Sequence, residues 1–515
     1  MSCSFSVDGV DVTVDDDGGS LLDALRDHLG KRAPKDGCSP QGQCGCCTVL
    51  VDGAPRVACV TPARRVAGRR VTTLDGMDPA ERAGWAERFC ATGASQCGFC
   101  TPGIIVRLAA LEAKGVGPDD EAAVERSLAA HLCRCTGWRT IVEAFALGAD
   151  EAATRNAGRD LDAAAQRATL EGGAAQHVGP EVALGRAGFA DDTAPDDALV
   201  ALRSVDGDWV VAESLAEARA RSGKRQGRRT TEALAHPIAL PEGDWAATLR
   251  TTWVEPAYLE PDASWCAPGG EPASPLANGG AFGGKVASGV GAVARRLADE
   301  HGRPVRVLST REDTVRLGPK RPPVAGGADA SGHGVLRVAR TPGVEEAVAR
   351  VAPGLRVEAV DVVGPRTSLA LRAAGWAEAA VLVAAATGAS EIVAPGGGVA
   401  EAEVGPDGLR VRVRCGDPLD EVVLRSYCIG AAHMALGWVT SEGLVVDGSG
   451  EVHDLTIRSF GVLRAADTPP VAVDIEPSSS APVNGSDAVF AAVALAVWRA
   501  QGLPGSWPTG RAVSA

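Results

Sequence analysis

The sequence predicts an α+β chain in three structured parts, and three observations carry that reading. Short alternating strands bracket Asp-Gly turns near the start. Helical periodicity takes over from about residue 78. From about residue 181 strand and helix signals alternate to the end, as in a mixed α/β region. The expected domains are therefore 1–77, β-rich; 78–150, helical; 151–180, an Ala- and Gly-rich linker, part helical; and 181–515, a compact α/β region.

In the first domain Ser4–Val7 and Val10–Val14 alternate around Asp8-Gly9, a type I′ hairpin signal. Ser20 caps a helix whose Leu22, Leu25 and Leu29 share a face, and Gly30 ends it. A loop with Cys38, Cys44, Cys46 and Cys47 follows. Thr48–Val51 and Val57–Val60 then form a second hairpin around Asp52-Gly53. Hairpin, helix, cysteine loop and hairpin make a β-grasp ferredoxin pattern. Cys38, Cys44, Cys47 and Cys59 are spaced C-x₅-C-x₂-C-x₁₁-C. That is one residue longer in its first loop than the plant-type [2Fe–2S] run. Cys46 is a spare thiol at a loop position.

In the helical domain Ile104, Leu108 and Leu111 share one face, and Val124, Leu128 and Leu132 another. A small bundle of these helices brings two cysteine turns together. One carries the C-x-x-C pair Cys97 and Cys100, the other the C-x-C pair Cys133 and Cys135. Four thiolates suit an iron–sulfur cluster or a structural zinc, and spacing alone does not choose.

Composition narrows the function. The chain has 515 residues and a formal net charge of −14, with no broad basic face for nucleic acid or an acidic membrane. The run from Arg219 through Arg221, Lys224, Arg225, Arg228 and Arg229 reads as a solvated loop. No leader is visible at the start, and runs such as Ala488–Trp498 are too short to span a bilayer, so a cytoplasmic chain is expected. The 14 cysteines, eight in two ligand-like sets, fit metal binding better than a disulfide framework.

The phrases Gln96–Gly103 (QCGFCTPG) and Leu132–Gly137 (LCRCTG) make residues 1–150 resemble the iron–sulfur subunit of the molybdenum hydroxylases, the xanthine dehydrogenase and aldehyde oxidase family. The resemblance implies two [2Fe–2S] clusters, the second beside a molybdopterin that Gln96 touches. Past residue 181 further phrases are similar to that family's cofactor subunit: Gly185–Asp192, Val254–Pro261, Arg311–Asp313, Lys320–Pro322, Ser426–Gly443 and His453–Phe460. The loop Gly279, Gly280, Ala281, Phe282, Gly283, Gly284, Lys285 resembles the one that approaches the cofactor's dithiolene. Glycines let backbone N–H groups come close to a bulky anion. The same loop fits G-x-x-x-x-G-K, but Val286 stands where a P-loop needs Ser or Thr, and an ordinary turn before a helix Ala287–Ala298 is the plainer alternative.

Three departures from the family pattern stand out. The cofactor region is short, notably between Pro261 and Gly279. The family's glutamine-glycine loops lack a clear counterpart; Ala432-His433-Met434 stands near one. The late catalytic glutamate aligns with Ser486 in Val483-Asn484-Gly485-Ser486, leaving Asp487 as the weak candidate base. Ser486 is expected to cap a helix with Asp487 a surface anion in its first turn. His433 and His453 read as core or surface histidines.

The resemblance thus implies an oxidoreductase that hydroxylates an N-heterocycle or aldehyde at molybdopterin, in its cytosine dinucleotide form, and passes electrons through two [2Fe–2S] clusters. The alternative is an electron-transfer iron–sulfur protein with a degenerate molybdopterin-like domain. No G-x-G-x-x-G follows a strand, so no FAD site is expected in this chain. A flavoprotein or other redox subunit is the expected acceptor and a small molecule the substrate. No nucleic acid or membrane partner is expected, and a homodimer is allowed.

Overall fold

A computed structural model describes residues 2–15, 18–223, 230–276 and 280–510. The first sheet has five strands, ordered Val10–Asp15, Ser2–Val7, Arg70–Thr72, Thr48–Val51, Ala54–Val57. Ser2–Val7 and Arg70–Thr72 run parallel, with Ser6 opposite Arg70, which closes the β-grasp. The Asp8-Gly9 turn has positive φ at both residues, 52° and 82°, as a type I′ turn requires. Ser20 and Asp23 form a capping box at the start of the short helix that crosses this sheet. The second hairpin differs from expectation in one respect. Its return strand is Ala54–Val57, and Ala58–Val60 is a 3₁₀ turn. That turn takes Cys59 off the ladder and faces it toward the cysteine loop.

The helical domain opens at Pro79–Thr92, where Asp78 caps the N–H groups of Ala80 and Glu81 and Gly93 closes the helix in the left-handed region. Thr101–Glu112, Glu121–Ser127 and Arg139–Ala146 complete it. The two iron–sulfur-like domains share a wall. Leu132 N–H donates to Cys44 O at 3.0 Å. A Cβ at Gly103 would lie 2.4 Å from Gly45 O, so only glycine lets the helix start pack on the cysteine loop.

Residues 151–180 are more than a tether. Helices Ala149–Asn156 and Leu161–Gly172 occupy them, and Arg167 reaches Pro418 O and Val483 O in the last third of the chain. Among the described residues, three four-stranded sheets follow. One combines Leu199–Arg203 and Val305–Leu308 in parallel and carries helix Val290–His301, which starts three residues later than expected. The second runs Leu355–Val360, Gly334–Ala339, Val324–Ala328, Ala247–Arg250, under helix Trp376–Thr387. The third packs on helices Glu421–Thr440 and Ser486–Ala500. Helix Glu421–Thr440 is long and apolar enough to cross a membrane, but 89% of its apolar window is buried inside the molecule. One contiguous hydrophobic cluster runs from Cys3 to Trp507 and joins the halves.

Part-buried ion pairs reinforce that joint. Arg26 binds Asp191 at 2.6 Å and Asp192 at 2.9 Å, and Arg306 binds Asp27 at 2.9 Å. Arg219, expected in a solvated run, instead reaches Asp23 and Asp36, each at 2.7 Å. Lys224–Arg229 of that run lie outside the described residues.

Candidate functional site

The first thiol set is built by the loop before Thr48 and the 3₁₀ turn after Val57. Cys38, Cys44, Cys47 and Cys59 are all buried there. Cys38 contacts Cys44 and Cys59, and Cys59 also contacts Cys47. Gln41 N–H points at Cys38 Sγ from 3.1 Å, and Cys59 N–H at Cys47 Sγ from 3.4 Å. The bonds from Cys44 and Cys59 hold the Cys38 thiol well below its ordinary range, whereas those same bonds, then the bond of Cys46 to Cys44 and of Cys47 to Cys59, and then burial push Cys44 and Cys59 up.

In the second set the turn before Thr101 supplies Cys97 and Cys100, and the loop before Arg139 supplies Cys133 and Cys135. Cys97 Sγ and Cys135 Sγ are 3.6 Å apart, and Cys100 contacts Cys133. Each thiol of the C-x-x-C pair therefore meets one of the C-x-C pair. Cys133 is lowered to about 6, first by its bond with Cys100, against the effect of burial; the Thr136 hydroxyl at 3.1 Å adds to it. Two thiol pairs side by side suit a centre of two irons, each taking two thiolates. No three His, Cys, Asp or Glu side chains among the described residues gather as a single-ion site. Cys46 lies in the wall between the sets. It is fully buried and its charge would be felt by Cys38, Cys47 and Cys133.

Gln96 holds the second set to the core. Its Nε2 donates to Cys135 O at 3.0 Å and to Ser426 O and Oγ at 3.1 and 3.0 Å. The glycine loop reaches the same thiols. A Cβ at Gly280 would lie 3.1 Å from Cys97 Sγ. Gly283, at φ 90°, faces Ala370 O so closely that a Cβ would sit 1.7 Å from it, and Gly284 faces the Tyr258 ring. Phe282 O accepts from Arg372 N–H at 3.0 Å. Gly279 lies outside the described residues. Lys285 is tied to Glu260 at 2.5 Å and sits 5.3 Å from the Tyr258 ring centre. Burial pushes Glu260 up to about 7 although Lys285 opposes it. This lysine is not free for a phosphate.

Beside the second set lies a cavity of about 40 Å³ lined by Arg134, Arg321, Arg372, Phe282, Trp438 and Glu442, among others. That is room for about three waters, whereas pockets for small molecules run to roughly 300–1,000 Å³. The eight thiols fit iron–sulfur centres. The residues around this cavity, as they stand, do not fit a pterin.

At the end of the site the structure corrects two expectations. Ser486 does not cap its helix: Gly485 holds the cap position, and the carboxylate that accepts Ser486 N–H, at 2.8 Å, belongs to Glu171. Asp487 is in the first turn, as expected, but pairs with Arg372 at 3.1 Å and keeps only 28% of its side chain exposed. Desolvation raises its pKa, against the pull of Arg372. His433 is a core residue that shares a hydrogen bond with Leu463 O at 3.2 Å, and His453 pairs with Asp447 at 2.8 Å. Sequence reading missed Arg372, Glu442 and Glu171. Arg134 could have been found, since it sits between two cysteines of a quoted motif.

Comparison with known proteins agrees with this geometry. Residues 5–71 match the family described as 2Fe-2S iron-sulfur cluster binding domain, and residues 73–146 the [2Fe-2S] binding domain family. The nicotinate dehydrogenase small FeS subunit of Eubacterium barkeri is 39% identical over 119 residues, 23% of this chain and 74% of that one. The xanthine dehydrogenase of Blastobotrys adeninivorans is 37% identical over 154 residues, and the match covers 27% of this chain but only 11% of that enzyme. The aldehyde oxidoreductase structure from Desulfovibrio gigas superposes with a TM-score of 0.70 over 100% of both chains. At 14% identity that likeness is one of fold alone. With both thiol sets inside matched iron–sulfur domains, and a small FeS subunit matched over most of its length, the chain belongs to the molybdenum hydroxylase (xanthine dehydrogenase/aldehyde oxidase) family.

Proposed function

We propose that this chain is the one-electron relay of a molybdenum-hydroxylase-type oxidoreductase. Cys38, Cys44, Cys47 and Cys59 would hold one [2Fe–2S] cluster, and Cys97, Cys100, Cys133 and Cys135 the other. The carrying observation is the meeting of eight thiols in two adjoining sets, all buried except the half-buried Cys97, the second set closed by a 3.6 Å Cys97–Cys135 contact. Each cluster, once bound, supplies reversible storage of a single electron. The protein does the rest. Burial keeps water from every sulfur but that of the half-buried Cys97, and N–H donors such as those of Gln41 and Cys59 favour the more negative, reduced state. Domains 1–77 and 78–150 act as one unit, because Leu132, Gly103 and the Cys44–Cys46 loop share a wall.

Hydroxylation of an N-heterocycle or aldehyde at molybdopterin is the reaction the family resemblance implies. The small cavity beside the second set supports the relay reading over that one for this chain, and no step is drawn through a pterin. Asp487, the weak candidate base, is engaged by Arg372. Electrons would pass to a flavoprotein or another redox subunit, in keeping with the small-subunit name of the E. barkeri relative.

The test is iron and sulfide analysis with paramagnetic resonance on reduction. About four irons per chain and two distinct signals are expected, with one signal lost in Cys135→Ser. A colourless, zinc-loaded protein would sink the reading.

A further inference from the structure

We infer that the chamber beside the second thiol set has been closed from within, by an arginine plug that replaces a cofactor site with part of the hydrophobic core. The plug is Arg134, Arg321 and Arg372, each about 95% buried.

Every nitrogen of these three guanidiniums has a protein partner. Arg134 gives Nε to Pro256 O at 3.0 Å and both Nη atoms to Glu442, at 2.5 and 2.9 Å. Arg321 gives Nε to Glu378 at 2.7 Å and its Nη atoms to Arg372 O and Ala373 O. Arg372 gives Nε to Asp487, one Nη to Met434 Sδ and the other to Ser486 Oγ and Glu171 O. A site made to receive a phosphate-bearing pterin would leave such donors facing an open space. Here they are spent inside the chain, and a carboxylate pairs with each charge.

The faces of the guanidiniums are used as well. Arg321 lies 3.9 Å from the Trp438 ring centre and 5.0 Å from that of Phe490, and those rings stack at 5.1 Å. Arg372 lies 3.8 Å from the Phe282 ring centre. Phe282 belongs to the glycine loop, so this stack draws the loop onto Arg372. Gly283 then meets Ala370 O at a distance no side chain could share. Gly283 is thus used up by the protein's own backbone. The plug is continuous with the relay, because Arg134 sits between Cys133 and Cys135 in the chain.

The inference goes beyond the relay reading, and one experiment separates the two. The chain is produced in a host that loads a molybdenum hydroxylase expressed beside it as a control. Iron, molybdenum and the fluorescent pterin released by oxidation are measured on both proteins. The expected result is iron at the control's level with molybdenum and pterin at background. Molybdenum near one per chain with matching pterin would overturn the plug and leave the relay standing. Molybdenum and iron both at background would support the plug and overturn the relay.

Discussion

Glu171 accepts the backbone N–H of Ser486 at 2.8 Å, so a residue from the segment read as a linker caps the helix that the family resemblance associates with its base. Glu171 also accepts Gly485 N–H at 3.1 Å and pairs with Arg167 at 2.9 Å, and neither side chain of that pair is exposed. The carboxylate adds the favourable interaction of an anion with a helix N-terminus. Removing it leaves a buried guanidinium without its counter-charge, which typically costs about 3–5 kcal/mol. Glu171→Ala is expected to lower stability by that order in chemical denaturation while both cluster signals survive in the folded fraction. A loss below about 1 kcal/mol, the scale of a surface pair, would show that Glu171 is not the support described.

The Arg134–Glu442 pair sets up a second expectation. Glu442→Gln leaves the Arg134 charge uncompensated beside Cys133 and Cys135. A more positive surrounding stabilises the reduced, more negative cluster, so the potential of the second cluster should rise by on the order of tens of millivolts. The first cluster should stay where it is. Redox titration followed by paramagnetic resonance reads both, and an unmoved second potential would contradict the assignment.

The iron–sulfur half was legible because its chemistry is local. Cys97, Cys100, Cys133 and Cys135 declare themselves by spacing, and the Asp8-Gly9 turn by residue type. The rest was not, because its partners are far apart in sequence. Arg134 meets Glu442 across 308 positions, and Arg167 meets Val483 O across 316. Nothing local marks Glu171 as a cap for a helix starting at Ser486. Likewise the glycines of 280–284 fit an anion loop and a tight backbone contact equally well, and only the position of Ala370 O separates the two.

Cys46 offers a sharper test of ligand choice. It is buried between the two sets and adjoins Cys47. Cys46→Ala should keep both clusters, because Cys59 N–H points at Cys47 Sγ and marks that sulfur as the one built into the first set. Cys47→Ala should lose the first signal alone. The reverse pattern would mean that the lengthened loop has shifted its ligand by one.

His433 gives a pH dependence with a definite sign. Burial, helped by Arg134, lowers it from 6.5 to about 4. The unfolded chain therefore binds more protons than the folded one between those values, so stability falls as pH drops through that window. The loss amounts to roughly 3 kcal/mol once the window is crossed. His433→Asn removes this titration and should flatten the slope of unfolding free energy between pH 6.5 and 5 relative to wild type. An unchanged slope would place the acid sensitivity elsewhere.

The last expectation concerns turnover. A hydroxylase base must stand within hydrogen-bond reach of the proton it takes. Ser486 is fully buried and held by Arg372 and Glu171, and Asp487 is engaged by Arg372. Placing a carboxylate at position 486 would set it against Glu171, so Ser486→Glu should lose stability through like-charge burial rather than gain a base. Wild type, Asp487→Asn and Ser486→Glu are therefore expected to be equally inert with a dye acceptor on a panel of aldehydes and N-heterocycles. Dithionite-reduced wild type should still pass electrons to the dye, and not to NAD. Brisk turnover by wild type that falls sharply in Asp487→Asn, with metal content unchanged, would make Asp487 a working base. Such a result would require the arginines around it to open during catalysis.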